Sequence, residues 1–151
     1  NKGADSSATA TTTDSATAAA PAPAPGAAPA GGAAAAAPIT GTTHEVKMIG
    51  DDKGYRFEPA NLTIKQGDGV KFVMVSGGPH NVAFDEAGIV AAGKDQLNAN
   101  IPNAAAPLTS QMVMNPNEEI LISFANVAPG TYNYNCTPHL AMGMKGVITV
   151  Q

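Results

Sequence analysis

A formal net charge of −4 over 151 residues, with no basic stripe, argues against a nucleic-acid partner. The single cysteine excludes an internal disulfide. No stretch of about 18 consecutive strongly apolar residues is present to form a transmembrane helix.

Residues 1–40 are almost entirely Ala, Pro, Thr, Ser and Gly, with Lys2, Asp5 and Asp14 as the only charges. Ile39 is their one β-branched aliphatic residue and they hold no aromatic, so the segment lacks the apolar area to offset its own ordering entropy. It is expected to be a disordered linker or tether ahead of a compact head over 41–151. The Pro-Ala repeat at 21–25 should be locally extended, and the Ala run at 33–37 is too short for a stable helix. The sequence begins at Asn1 rather than Met. That suggests removal of an N-terminal portion, hence export to a periplasmic or other extracytoplasmic space, with membrane anchoring through the removed part.

From Thr43 onward, short strands are predicted at 46–49, 62–65, 70–75, 80–84, 112–114, 120–124, 131–135 and 147–150. Leu62/Ile64, Val70/Phe72/Met74, Ile120/Ile122/Phe124 and Tyr132/Tyr134 alternate with polar or outward positions, the mark of half-buried strands. Gln-Gly-Asp-Gly at 66–69, Ser-Gly-Gly-Pro at 76–79, Asn-Pro-Asn at 115–117 and Ala-Pro-Gly at 128–130 supply the turns. About eight strands in roughly 110 residues predict an all-β, two-sheet sandwich. Residues 87–108 have no clean period, and an irregular excursion that shapes a surface is expected there, with a short helical turn around 94–98.

The chemistry concentrates near the C-terminus. Cys136-Thr-Pro-His139-Leu-Ala-Met142-Gly-Met144 places a thiol, an imidazole and two thioethers in one loop, and His80 follows Gly77-Gly78-Pro79 far upstream. Two imidazoles, a thiolate and a weak thioether form the trigonal set that holds copper for one-electron transfer. Pro138 stiffens the turn after Cys136, and Gly143 lets the chain double back to present Met144. Zinc is the competing metal, but structural zinc sites pair several cysteines and do not use thioethers. A catalytic Cys–His pair lacks a third orienting group near the loop.

These two motifs resemble the small blue copper proteins, the cupredoxins. Pro79-His80-Asn81-Val82-Ala83-Phe84-Asp85-Glu86 is similar to the first-histidine segment of plastocyanin. The loop from Cys136 to Met144 is similar to plastocyanin in spacing and pseudoazurin in wording. The resemblance covers about 41–151 and implies a Greek-key sandwich with His80, Cys136, His139 and Met144 as ligands of one type 1 Cu(I)/Cu(II) ion. Met142 is the rival for the axial place, and the resemblance sets it aside, since four residues between His139 and Met144 is the plastocyanin and pseudoazurin spacing. The resemblance also implies that Asn81 ties the His80 segment to Thr137, and that His139 lies in an apolar rim built from Pro79, Pro138, Leu140, Ala141 and Met142. Asn135 stands where plant-type plastocyanin carries a tyrosine, and Asp85 and Glu86 alone represent its acidic run. This departure favours exit through the rim. The last strand, too, is unlike the C-terminal helices of pseudoazurin.

The expected function is a one-electron carrier, not an enzyme, with a monomeric head. It would shuttle electrons between membrane-associated redox proteins such as a cytochrome complex, a reaction centre, an oxidase or a reductase. A copper storage or delivery protein is the alternative, although Met112 and Met114 fall at strand period and are expected on a core or sheet face. Copper oxidases and nitrite reductases need further histidines, and only His44 remains.

Overall fold

The computed structural model describes residues 34–151 of the protein. The expected disorder of 1–33 lies outside the described residues.

Two four-stranded sheets form a sandwich. One has the order β2-β1-β4-β6, with β1 Thr43–Asp51, β2 Gly54–Glu58, β4 Gly69–Met74 and β6 Glu119–Ser123. The other has the order β3-β8-β7-β5, with β3 Asn61–Ile64, β5 Ala83–Phe84, β7 Gly130–Asn135 and β8 Lys145–Val150. β1 runs parallel to β4 and β3 parallel to β8, while the other pairs are antiparallel. The all-β sandwich expected from the sequence is therefore present.

The period-two residues explain the layers. Val70, Phe72 and Met74 of β4, Ile120 and Ile122 of β6, Tyr132 and Tyr134 of β7, and Ile148 and Val150 of β8 all point into the core. Their rings interlock edge to face: Tyr134 meets Phe57 at 4.7 Å and Phe72 at 5.5 Å between centroids. Such aromatic pairs contribute about 0.5–1.5 kcal/mol each beyond their buried area.

Three sequence expectations need correction. β2 was not foreseen; it pairs with β1 through the turn at Asp52–Lys53, where the Asp51 carboxylate accepts the Lys53 N–H at 2.9 Å. Residues 112–114 are not a strand but a single bridge, in which Val113 exchanges backbone hydrogen bonds with His80. Val113 points inward, whereas Met112 and Met114 are exposed, contrary to the core or sheet-face role. Residues 80–82 likewise stand outside the ladder, leaving β5 only two residues long.

The excursion at 87–108 holds a full helix, α1, Ala91–Asn100. It docks on the sandwich rather than merely shaping a surface, because Gly93, Leu97 and Asn100 are buried. Glycine is required at 93, since a Cβ there would sit 1.9 Å from the Tyr132 hydroxyl. Asn100 donates to the carbonyls of Ser123 and Ala125 at 2.9 and 3.0 Å and accepts the N–H of Ala37 at 2.8 Å.

That last bond is one of several by which residues 34–40 touch the head. Gly67 O accepts from Thr40 and Gly41, and Ile39 fills the space left by the missing Cβ of Gly69. Asp68 then fastens the start of β1: its carboxylate accepts the N–H groups of Thr42 and Lys65 at 2.8 and 3.0 Å and pairs with His44 Nε2 at 2.9 Å. No helix of the described residues is long and apolar enough to cross a membrane.

Candidate metal centre

The connection between β7 and β8 is the site loop. Asn135 and Lys145 are still paired in the ladder, so residues 136–144 must leave and return to the same point. Pro138 opens a 3₁₀ segment, Thr137–Met142, and Gly143 ends it in the left-handed region at φ 84°, where glycine has no Cβ to clash. The loop then closes on itself. Cys136 N–H donates to Met144 O at 3.0 Å, and Met144 N–H donates to His139 O at 3.2 Å.

His80 arrives from the other sheet's side of the sandwich, after Gly77 at φ 74° and a cis Gly78–Pro79 peptide. Asn81 makes the expected tie: its Oδ1 accepts Thr137 N–H at 2.8 Å and its Nδ2 donates to Thr137 Oγ1 at 3.1 Å. The two loops are thereby held side by side.

Cys136 Sγ lies 3.6 Å from His80 Nδ1 and 3.4 Å from His139 Nδ1. The three donor atoms fall within 4.8 Å of one another, and all three residues are buried. An ion with bonds of roughly 2.0–2.3 Å, usual for imidazole and thiolate on first-row metals, would space trigonal donors about 3.5–3.8 Å apart. The observed spacing fits such an ion. The group contains no carboxylate, so hard oxygen-seeking cations have nothing to hold. Met144 is fully buried beneath the loop, while Met142 is 59% exposed.

Protonation suits a metal. His80 Nε2 faces Ser76 O at 2.7 Å; a carbonyl only accepts, so Nε2 carries the proton and Nδ1 offers its lone pair. Burial lowers the pKa of His80, with the Ser76 bond pulling the other way. Burial and the neighbouring His80 lower that of His139, so both imidazoles are neutral at neutral pH. Burial raises the Cys136 thiol, against the backbone amides of Asn81 and His139. A metal taken up at the sulfur therefore displaces a proton.

Tyr55, a residue that sequence reasoning missed, stacks on His139 with ring centroids 3.8 Å apart and planes 14° from parallel. It comes from β2, and recognising the Tyr55-Arg56-Phe57 alternation would have been the only route to it. Around the loop, Pro138, Leu140, Ala141 and Met142 are exposed and Pro79 is half-buried, so the expected rim lies at the surface. His139 itself is 6% exposed among these residues.

A two-sheet sandwich that gathers a buried His, Cys and His set, two of them from the loop between its last strands, defines a cupredoxin. The chain belongs to the plastocyanin/azurin family of copper-binding proteins, whose profile matches residues 44–151. It is 40% identical over 106 residues to the chloroplastic plastocyanin of Physcomitrium patens, covering 70% of this chain and 56% of that protein. It is 38% identical over 115 residues to plastocyanin of Prochlorothrix hollandica, covering 76% and 78%. The oxidised form of plastocyanin from Dryopteris crassirhizoma has a similar structure, with a TM-score of 0.50 and 29% identity over 71% of this chain and 99% of that one. Copper is the cofactor these findings indicate, and the His80–Cys136–His139 group is compatible with a type 1 ion.

Proposed function

We propose that the protein is a one-electron carrier in which His80, Cys136, His139 and Met144 hold one copper ion. The observation that carries this reading is the burial of two neutral imidazoles around one thiol at metal-ligand spacing. Copper, when bound, supplies the exchange between Cu(I) and Cu(II). The residues supply a frame that does not rearrange: Ser76 fixes His80, Asn81 fixes the Cys136 loop, and the backbone closure fixes Met144. Met144 rather than Met142 would supply the weak thioether, because it is buried and bonded through its backbone to both Cys136 and His139, whereas Met142 faces solvent.

No acid, base or substrate pocket is needed for this work, and the protein is read as a carrier, not an enzyme. Electrons leave through His139 and its apolar rim, a small surface suited to brief docking. The flank beyond Asn135 is a less suitable exit. Its cleft of about 670 Å³ is lined by Asp85 and Lys145 together with Asn61, Asn133 and Asn135, so it carries no acidic field. The partners are redox proteins of the membrane, such as a cytochrome complex, reaction centre, oxidase or reductase. The setting is extracytoplasmic, with the upstream Ala/Pro-rich segment as tether and a monomeric head.

Copper delivery is the second reading, favoured by the exposed thioethers of Met112, Met114 and Met142. One experiment separates the two. Cu(II) added to the copper-free protein should produce an intense blue thiolate-to-copper band that a one-electron reductant bleaches reversibly. A colourless complex refutes the carrier, and ready surrender of Cu(I) to a mild chelator supports delivery.

A further inference from the structure

The two imidazoles of the site are fixed in different ways. His80 is oriented through its remote nitrogen, which donates to Ser76 O at 2.7 Å. His139 approaches Cys136 through Nδ1, whereas its Nε2 makes no hydrogen bond to another described residue and is open to water. A histidine ligand normally has its ring plane and tautomer set by a bond at that second nitrogen. Here the ring face is covered instead, by Tyr55 at 3.8 Å and 14°.

Tyr55 is itself well seated. It pairs with Gly50 across the β1–β2 ladder, and its ring occupies the space a side chain at 50 would fill. A Cβ on Gly50 would fall 2.6 Å from Tyr55 Cε1 and 2.9 Å from the Gly77 Cα. Tyr55 also meets His80 edge-on at 6.3 Å, and the two imidazoles meet each other at 5.0 Å and 65°. Three rings thus fill one another's free volume beside the sulfur.

We propose that Tyr55 is the positioning residue for His139, its ring face doing the work of a protein hydrogen-bond partner at Nε2. It keeps Nδ1 turned to Cys136 before the metal arrives and in both redox states. The inference rests on the copper reading above. The stack acts through the ring, and the Tyr55 hydroxyl has no hydrogen bond among the described residues, so phenylalanine serves equally well.

The test compares wild type with Y55F and Y55L. In the copper-free proteins, NMR relaxation of the histidine ring signals should show both rings ordered in wild type and Y55F. In Y55L only His139 should become mobile. With Cu(I) and a competing chromophoric chelator, Y55L should lose about 10-fold to 100-fold in affinity, the usual effect of removing a ligand's support. Y55F should keep the wild-type affinity and the wild-type electron paramagnetic resonance signal of its Cu(II) form. The proposal is overturned if Y55L retains both ring order and Cu(I) affinity. It is equally overturned if the His139 ring is already mobile in copper-free wild type, a measurement that stands even where Y55L does not fold. A wild-type protein that takes up no copper sinks the copper reading instead, while the ring measurement still decides the role of Tyr55.

Discussion

Replacing Asn81 with alanine cuts both hydrogen bonds from its side chain to Thr137, which tie the His80 segment to the Cys136 loop. Two hydrogen bonds vanish, at 2.8 and 3.1 Å, and a side chain 2% exposed is truncated. Each bond contributes about 1 kcal/mol net, and a stranded buried donor costs about 1–3 kcal/mol more. Thr137 is exposed, so water rehydrates its freed amide and the penalty stays at the low end. The expected loss is about 2–3 kcal/mol, or roughly 6–15 °C in Tm for a domain of this size. Thermal and urea unfolding of the copper-free protein measure it without metal binding in the way. T137A alone should cost about 2–3 kcal/mol, because it strands the buried Asn81 Nδ2, and next to nothing once Asn81 is already alanine, since the shared bond is gone. An N81A protein within about 0.5 kcal/mol of wild type, or full additivity of the pair, would refute the reasoning.

Other variants test other parts of the molecule. His44 first, then the N–H groups of Lys65 and Thr42, hold the Asp68 carboxyl below its usual pKa. A depressed folded-state value adds stability that is complete above the unfolded pKa of about 3.9 and lost as pH falls through the folded one. D68N should therefore unfold in less urea at pH 7 by about 1–3 kcal/mol, with the gap closing below about pH 3; a constant gap contradicts this. M144L should keep the blue colour and raise the reduction potential in voltammetry, because losing a weak donor hurts Cu(II) more than Cu(I). M142L should change neither, and the reverse outcome would exchange the two methionines. N100A removes four hydrogen bonds at one buried side chain and should cost about 3 kcal/mol. It should also open residues 34–40 to limited proteolysis, and equal resistance to protease would contradict their docking through Asn100.

The sequence made visible what is local in it. Cys136, His139 and Met144 share one loop, so their spacing alone suggested a common centre, and strands such as Val70–Phe72–Met74 announced their inner face by period. What stayed hidden depends on tertiary context. β2 lies among Asp51, Asp52, Lys53 and Arg56, whose charges mask the alternation of Tyr55 and Phe57. α1 buries only Gly93, Leu97 and Asn100, too sparse a stripe to be read as a helix. Met112 and Met114 mimic a strand, but the sheet makes a single bridge there and turns their side chains outward. Residues 34–40 carry only one large apolar side chain, Ile39, and dock largely by hydrogen bonds to Gly67 and Asn100, which composition does not reveal. The contact between Tyr55 and His139 joins positions 84 apart, a relation that no spacing rule encodes.

The course of β1 has a practical consequence. At its Thr43 end the strand pairs with Gly69, next to Asp68, and near its other end Gly50 bonds to Ser76 beside His80. Seven steps at strand rise separate Thr43 from Gly50 by about 24 Å. The chain thus enters the head at the foot of the sandwich and the rim of His139 crowns it. A protein fixed to an electrode or bead through its upstream residues would present that crown to solution. Random lysine coupling would also catch Lys145, one residue past Met144, and would leave part of the layer face down and electrically silent.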